Sequence, residues 1–441
     1  MIKSSLDNKT YDIIVCGAGS AGVAAACSAA KAGARTLLLE RHGYGGGILT
    51  AAMIHTFDAI KSCADNSVDI VAGFARELVA EIHALGGDAT RDNPPEVVCV
   101  HPEMHKIAID RLLARAGVDV LYHACVCDVL SDAGTAVTAN AAANTATANN
   151  RITGVEAALR DGRARFHAPV IIDGTGDAEL ALHAGAPFDI APDIQALTCH
   201  FRLGNVAPGH DWSEWETITR RALKEAHDAG EIKVYGGPWI IRLADGEISV
   251  NATRVFGNPT DPSALSRAEQ EGRAHMLQIW NILRRRAPAL KDSYILSGSS
   301  QLHIRESRII RGEYVLTEED IRACKRFDDS IAVGAWPVDI HPVTGFSGVH
   351  PHKENPFAPY EIPYRCLVPL AVDGLLVAGK PISTTHRAHG STRVPGTSLA
   401  TGQAAGVAAT LCARDGTPPR ALDAKKLRAA LLNQNAIVSA A

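Results

Sequence analysis

Two short segments of this 441-residue chain carry side chains suited to proton transfer and anion binding. TTHRAHGSTR, residues 384–393, holds His386, His389 and Arg393, and RESR, residues 305–308, holds Arg305 and Arg308 around Glu306. An imidazole changes charge near neutral pH, so it can take a proton from an alcohol or return one. A guanidinium can grip a carboxylate or phosphate through paired N–H donors. Each group also has a plainer reading. His386 would hold its own loop by hydrogen bonds, and Arg305 with Glu306 would be an internal ion pair bracing a domain interface. His341, in WPVDIH, is a second base candidate. His350 and His352, in SGVHPHKENPF, read as loop residues near a pocket mouth. No carboxylate stands at H-x-x-x-H spacing, so no metal site is expected.

Such groups need a scaffold, and the N-terminal region supplies one. Eighteen uncharged residues run between Asp12 and Lys31. A membrane span is the first alternative, but the run breaks at Gly17, Gly19 and Gly22 and is otherwise mostly Ala and Ser, too weakly apolar for lipid. Read as a nucleotide cradle, Asp12–Cys16 is a buried strand and Gly17-Ala18-Gly19-Ser20-Ala21-Gly22 is a G-x-G-x-x-G turn. Ala21–Ala32 is then a helix, and Thr36–Leu39 a second strand. Glu40 follows the last glycine by 18 residues, near the spacing of an acid that binds a ribose. Gly17 permits the turn, Gly19 lets a pyrophosphate approach, Gly22 lets helix and strand touch, and the free N–H groups from Ser20 and Ala21 onward face the phosphates. The loop after Glu40, from Arg41 to Gly45-Gly46-Gly47, offers a second flexible backbone surface of a kind an ordinary NAD fold does not need. Pro169–Asp177 reads as a buried strand ending in the turn Gly174-Thr175-Gly176-Asp177. Gly374–Gly379 reads as another strand, and a long helix starts at Gly396, with Gly402 and Gly406 spaced to pack closely on the sheet.

Bulk composition agrees with a two-domain globular protein: 46% hydrophobic and 21% charged residues, net charge −4. That balance gives no case for nucleic acid or an acidic membrane surface. The ten cysteines are scattered, without C-x-x-C pairs, as expected in a reducing compartment. The polar N-terminus does not read as a signal peptide, so a cytoplasmic location is expected. Further expected elements are a helix over 69–86, a helix over Met104–Arg115 leading into one strand over Val118–Leu130, strands at Gln195–Leu203 and 245–256, and a helix over Ala264–Arg285. Residues 132–150, rich in Ala, Asn and Thr, read as an exposed hairpin tip.

Taken together, VCGAGSAGVAAACSAAKAG with Glu40, the GYGGG loop, IIDGTGDAEL, RESRIIRGEYVLTEEDI, YEIPYRCLVP and the 375–410 block resemble bacterial FAD-dependent oxidoreductases. These are built on a glutathione-reductase-type FAD domain and are distantly related to succinate dehydrogenase and fumarate reductase flavoproteins. The resemblance implies an α/β fold. A discontinuous Rossmann-like FAD domain over 1–190 and 361–441 would carry an inserted α+β substrate domain over 191–360. It implies FAD with its AMP half at Glu40, a backbone edge near Val126 against the adenine, and an isoalloxazine near Gly379 and the helix turn Gly396–Leu399, including Thr397 and Ser398. That turn, with Arg393, would favour negative charge on the ring. WPVDIH matches a family segment and His386 a family position, whereas His389 replaces the usual apolar residue. His42 is out of register with the His that binds FAD covalently in related flavoproteins, so non-covalent FAD is expected.

Without a second G-x-G-x-x-G or a C-x-x-x-x-C, neither a built-in NAD(P) domain nor disulfide-reductase chemistry is expected. The electron acceptor and substrate stay open, as does homo-oligomerisation. The expected activity is hydride transfer between a small polar substrate and flavin N5, with His386 as base and Arg305, Arg308 and Arg393 as anion clamps. The alternatives are a fumarate-reductase-like ene-reductase, in which an arginine gives the proton, and an FAD-stabilised binding or assembly protein without turnover.

Overall fold

The computed structural model describes residues 2–65, 67–89, 93–94, 97–132, 150–341 and 358–440. Most of the expected hairpin tip at 132–150, together with His350 and His352, lies outside them. The chain has a mixed α/β fold centred on a five-stranded parallel sheet. Its strands run Leu375–Val377, Val170–Asp173, Ile13–Cys16, Thr36–Leu39 and Asp119–Leu121 across the sheet.

Apart from the edge strand Asp119–Leu121, these strands are fully buried and mostly apolar because both faces of the sheet are covered. The period-two alternation sorts their side chains. Ile13, Val15, Leu38, Ile172 and Leu376 point into a core shared with the helices. Ile14, Leu37, Leu39, Ile171 and Leu375 point into a second core, where Val155, Ala157 and Phe166 come from an antiparallel sheet of Cys125–Ser131, Asn150–Leu159 and Gly162–His167.

The first helix, Ser20–Lys31, starts directly from the glycine turn. The long helix Pro395–Asp415 lies against it. A Cβ on Gly402 would stand 2.1 Å from Ala21 O, and one on Gly406 2.2 Å from Ala25 O. The close approach these glycines permit is therefore to the first helix, not to the sheet as the spacing alone suggests. Small residues on both helices (Ala21, Ala25, Gly402, Gly406) remove the side-chain layer that would hold them apart.

A separate four-stranded antiparallel sheet is ordered Trp239–Ala244, Glu247–Asn251, Phe201–Gly204, Tyr294–Gly298. It packs with helices Trp212–Asp228 and Pro262–Arg286 around its own core, including Phe201, Trp215, Ile240, Ile248 and Ile279. Residues 330–338 and 360–368, by contrast, contribute Ile331, Val333, Ile362 and Leu367 to the core of the parallel sheet.

Three expected elements differ in detail. The run Val118–Leu130 is two strands in two sheets, Asp119–Leu121 and Cys125–Ser131, because His123 takes a left-handed backbone (φ 56) between them. In 195–203 only the end is a regular strand; Leu197 and Thr198 make single bridges to Val255 and His303. The helix expected over 69–86 spans Phe74–Ala84, its start set by Gly73 at φ 60.

Candidate active site

Two adjoining cavities meet at the ends of these elements. The first, about 530 Å³, begins at Glu40, Arg41 and Val126, passes the glycine turn, and ends at Gly379, Ser398, His303, Arg305 and Arg393. Gly17, Gly19, Ser20, Ala21, Gly47, Gly174, Thr175, Gly176, Asp177 and Arg308 also line it. Its size is that of a cofactor cleft.

Local chemistry fits a dinucleotide. No side chain caps the first helix among the described residues, and no acid stands in its first turn, so its N–H groups are left for a ligand. Ser20 Oγ is buried there with no hydrogen-bond partner among the described residues. A Cβ on Gly19 would meet nothing nearer than 3.9 Å, so the space before this backbone is open. Glu40 holds the turn from the far side, accepting from the Ala18 and His42 amides at 2.6 and 2.8 Å. A carboxylate offers about four lone pairs, so it keeps capacity for ribose hydroxyls. These residues would hold FAD: phosphates on the first helix, ribose at Glu40, and the flavin end toward Gly379 and Ser398.

The remaining expected cofactor residues stand behind this wall. A Cβ on Gly22 would fall 1.7 Å from Gly17 O, so Gly22 closes the turn. The Gly46 amide donates to Ala18 O at 2.7 Å, and a Cβ on Gly45 would meet Ile109 at 2.8 Å, so both seat the glycine loop. Leu399 is core, and Thr397 is fully buried, its Oγ1 without a partner among the described residues. At the flavin end, Lys380 Nζ sits 2.7 Å from Asp177 Oδ1, and Ser307 Oγ donates to the same oxygen at 2.6 Å. Arg308 Nη1 donates to Asp177 O at 3.2 Å.

The second cavity, about 170 Å³, shares Ile48, His303, Arg305 and Arg393 with the first. Its floor carries the buried Arg305 and Arg393, and Arg254, which does not line the cavity, stands beside them. Arg254 and Arg305 both donate to Thr198 Oγ1, at 3.1 and 2.6 Å, and Arg393 Nη2 pairs with Asp339 Oδ2 at 2.9 Å. Arg305 is only 2% exposed. Burial, then the like charges of Arg254 and Arg393, destabilise its guanidinium, and Asp339 is the one carboxylate that acts to favour it. Burial lowers Arg254 to about 10.

Imidazoles crowd the same floor. His341 accepts from Arg254 Nη2 at Nδ1 (3.2 Å) and turns Nε2 toward Asp339 (3.4 Å), so both nitrogens are engaged. Burial lowers it to about 3 despite Asp339. His303 and His200 are pushed well below the ordinary imidazole range by burial, then by Arg305. His303 Nδ1, His200 Nε2 and both nitrogens of His55 lack partners among the described residues.

His386 lines neither cavity. It opens the short helix His386–Thr392, and its Nδ1 lies 2.6 Å from Glu306 Oε1. The hydrogen bond to Glu306 raises its pKa. Of the residues the sequence singles out, Arg305, Arg393 and His341 thus come together, Arg308 lies along the first cavity, and His386 stands apart. Sequence reasoning missed His55, His200, Arg254, His303 and Asp339. For three the sequence holds a partial signal, since His200, Arg254 and His303 sit inside largely apolar runs (CHFRL, ATRVF, QLHI).

A parallel sheet, a glycine turn opening onto a helix, and a long cavity ending at a buried basic cluster define a dinucleotide-dependent redox protein. The chain belongs to the FAD-dependent oxidoreductase family, whose model matches residues 12–431. It is an enzyme, and its cofactor is FAD. No curated protein matches the chain. Among solved structures it is similar to a geranylgeranyl bacteriochlorophyll reductase-like protein from Thermoplasma acidophilum (14% identity, 97% of this chain and 84% of that one, TM-score 0.49). It is also similar to a flavoprotein/dehydrogenase from Cytophaga hutchinsonii (13%, 97% and 84%, TM-score 0.45). A third is p-nitrophenol 4-monooxygenase from Pseudomonas putida DLL-E4 (11%, 96% and 84%, TM-score 0.42). No helix among the described residues is long and apolar enough to cross a membrane.

Proposed function

We propose that the enzyme is a dehydrogenase moving hydride between a small polar substrate in the second cavity and non-covalent FAD in the first. The observation that carries this reading is the shared wall: Ile48, His303, Arg305 and Arg393 line both cavities. When bound, the flavin ring supplies a site that accepts or gives a hydride.

The chain's own groups handle charge and protons. Arg305 and Arg393 orient an oxygen-bearing substrate at the shared wall. His303 is neutral in this setting, and its free Nδ1 can take a hydroxyl proton. Negative charge arriving beside Arg305 and Arg393 would offset the field that depresses His303 and so raise its basicity. The pairing of His386 with buried Glu306 supports a bracing role for His386, so we favour His303 as the base. The test is anaerobic bleaching of the flavin against hydroxy acids, sugars, amines and enoates, with His303→Gln alongside. A hydroxy compound should bleach the native flavin, and the variant should keep FAD while bleaching ~10²–10⁴-fold more slowly. Undiminished bleaching by His303→Gln would remove His303 from this role.

One observation favours ene reduction as a second reading. Arg305 is fully buried, with a guanidinium that burial and two neighbouring arginines destabilise, which suits it to give up a proton. Reoxidation of photoreduced enzyme by enoates, with no bleaching by any hydroxy compound, would select this reading over the first.

A further inference from the structure

The second cavity gathers its buried arginines and imidazoles at its floor, with Asp58, Glu216, Ser249 and Asn251 as further polar lining. At its floor Arg305, His200, His303 and Arg393 are 2%, 3%, 6% and 8% exposed. Toward the opening, Met53, Trp212, Trp239 and Ile241 are half-buried and present apolar surface. Trp239 joins the two zones: its ring lies 5.3 Å from the Arg254 guanidinium and stands edge-on to His341 at 5.6 Å.

Charge at the floor is incomplete. Arg254, Arg305 and Arg393 gather around one carboxylate, Asp339, which is already paired with Arg393 and His341. Asp58 and Glu216 also line the cavity, but the groups whose charges act on Arg305 are Arg254, Arg393 and Asp339, and Glu216 is paired with Arg220 at 3.3 Å. Arg305 Nε and Arg393 Nε are buried with no partner among the described residues, as are the ring nitrogens of His55 and one nitrogen each of His200 and His303. Buried cations and donors left this way are costly unless something supplies acceptors and negative charge. The volume limits what that is. About 170 Å³ compares with the ~150 Å³ engineered cavity that takes up benzene, so one ring or a chain of similar bulk fits.

The geometry points to a monocarboxylic acid with a ring-sized apolar body as the substrate class, its carboxylate against Arg305 and Arg393 and its body against Trp239. The assignment rests on the reading of this cavity as the substrate site and replaces "small and polar" with small and amphipathic.

Equilibrium binding to the oxidised holoenzyme tests it without turnover. The flavin absorbance is followed during titration with phenylacetate, with its neutral isostere phenylacetamide, and with acetate, which has the head but no body. Phenylacetate should perturb the spectrum saturably, with a Kd at least tenfold below those of the other two. Trp239→Ala should weaken phenylacetate at least tenfold and leave acetate unchanged. Equal binding of the amide, equal binding of acetate, or no response to phenylacetate overturns the assignment. Should Trp239→Ala fail to fold, the comparison of three ligands on the native protein decides alone. Phenylacetate carries no hydroxyl to oxidise. Its tight binding together with no bleaching by any hydroxy acid would therefore sink the dehydrogenase reading while leaving the substrate class standing.

Discussion

Replacing His386 with Asn separates a brace from a base. Glu306 is fully buried; beyond the His386 imidazole at 2.6 Å, its side chain accepts from the Gln195 amide at 3.4 Å. Removing the imidazole leaves a buried carboxylate short of partners, a change that costs about 3 kcal/mol by the measured range for broken buried pairs. At ~2.1 cal/mol/K per residue of unfolding entropy, that is about 3 °C of melting temperature for a chain of this length.

The pH dependence has a definite sign. The hydrogen bond to Glu306 raises His386 above its ordinary 6.5, so its contribution is full below that value and fades as pH rises through the folded pKa. Burial alone would raise Glu306, but the bond to His386, the charges of His389 and His386 and the Gln195 amide together outweigh it and hold the carboxyl below 4.5, so its contribution is lost toward acid. The gap between native protein and His386→Asn should therefore be widest between about pH 5 and 6 and should narrow by pH 9. Melts of the holoenzyme followed by flavin fluorescence at pH 5.5, 7.5 and 9 measure it, with the rate of flavin bleaching recorded alongside. Bleaching that falls a hundredfold or more while the melting temperature stays put at pH 5.5 would refute the brace and restore His386 as the base.

Two glycine substitutions probe the cofactor end. Gly19→Val should fold, because its Cβ meets nothing nearer than 3.9 Å, yet fill the space before the first helix; it should purify with little absorbance near 450 nm and an apoprotein melting temperature unchanged from native apoprotein. Gly402→Ala places a methyl 2.1 Å from Ala21 O, so it should cost at least the ~1–3 kcal/mol of an overpacked core and lower the denaturation midpoint together with flavin content.

The parallel sheet was legible because IIVC, LLL, VII and LLV are continuous apolar runs, as a doubly covered sheet requires. The glycine turn was legible because spacing and backbone freedom together leave few alternatives. Val118–Leu130 misled because nothing in an apolar run announces a single left-handed residue at His123. The helix His386–Thr392 was invisible because His, Gly, Ser and Thr favour it little; Thr385 caps it and tertiary packing holds it. The basic floor was only half legible. Arg305, Arg393 and His341 stood out by type, but Arg254, His200 and His303 acquire their full meaning only when segments distant in the sequence converge on one space. His386 shows the converse, a residue of suitable chemistry whose nearest neighbour, Glu306, lies 80 positions earlier in the chain.

The contact of Gly402 and Gly406 with Ala21 and Ala25 bears on how this enzyme matures. During synthesis the phosphate-binding turn is made long before the helix that backs it and the strand Leu375–Val377 that completes the sheet. A nascent chain should therefore hold its flavin firmly only once the segment 375–406 has been made. Premature termination before about residue 406 should yield colourless, protease-sensitive polypeptide and so act as a null allele.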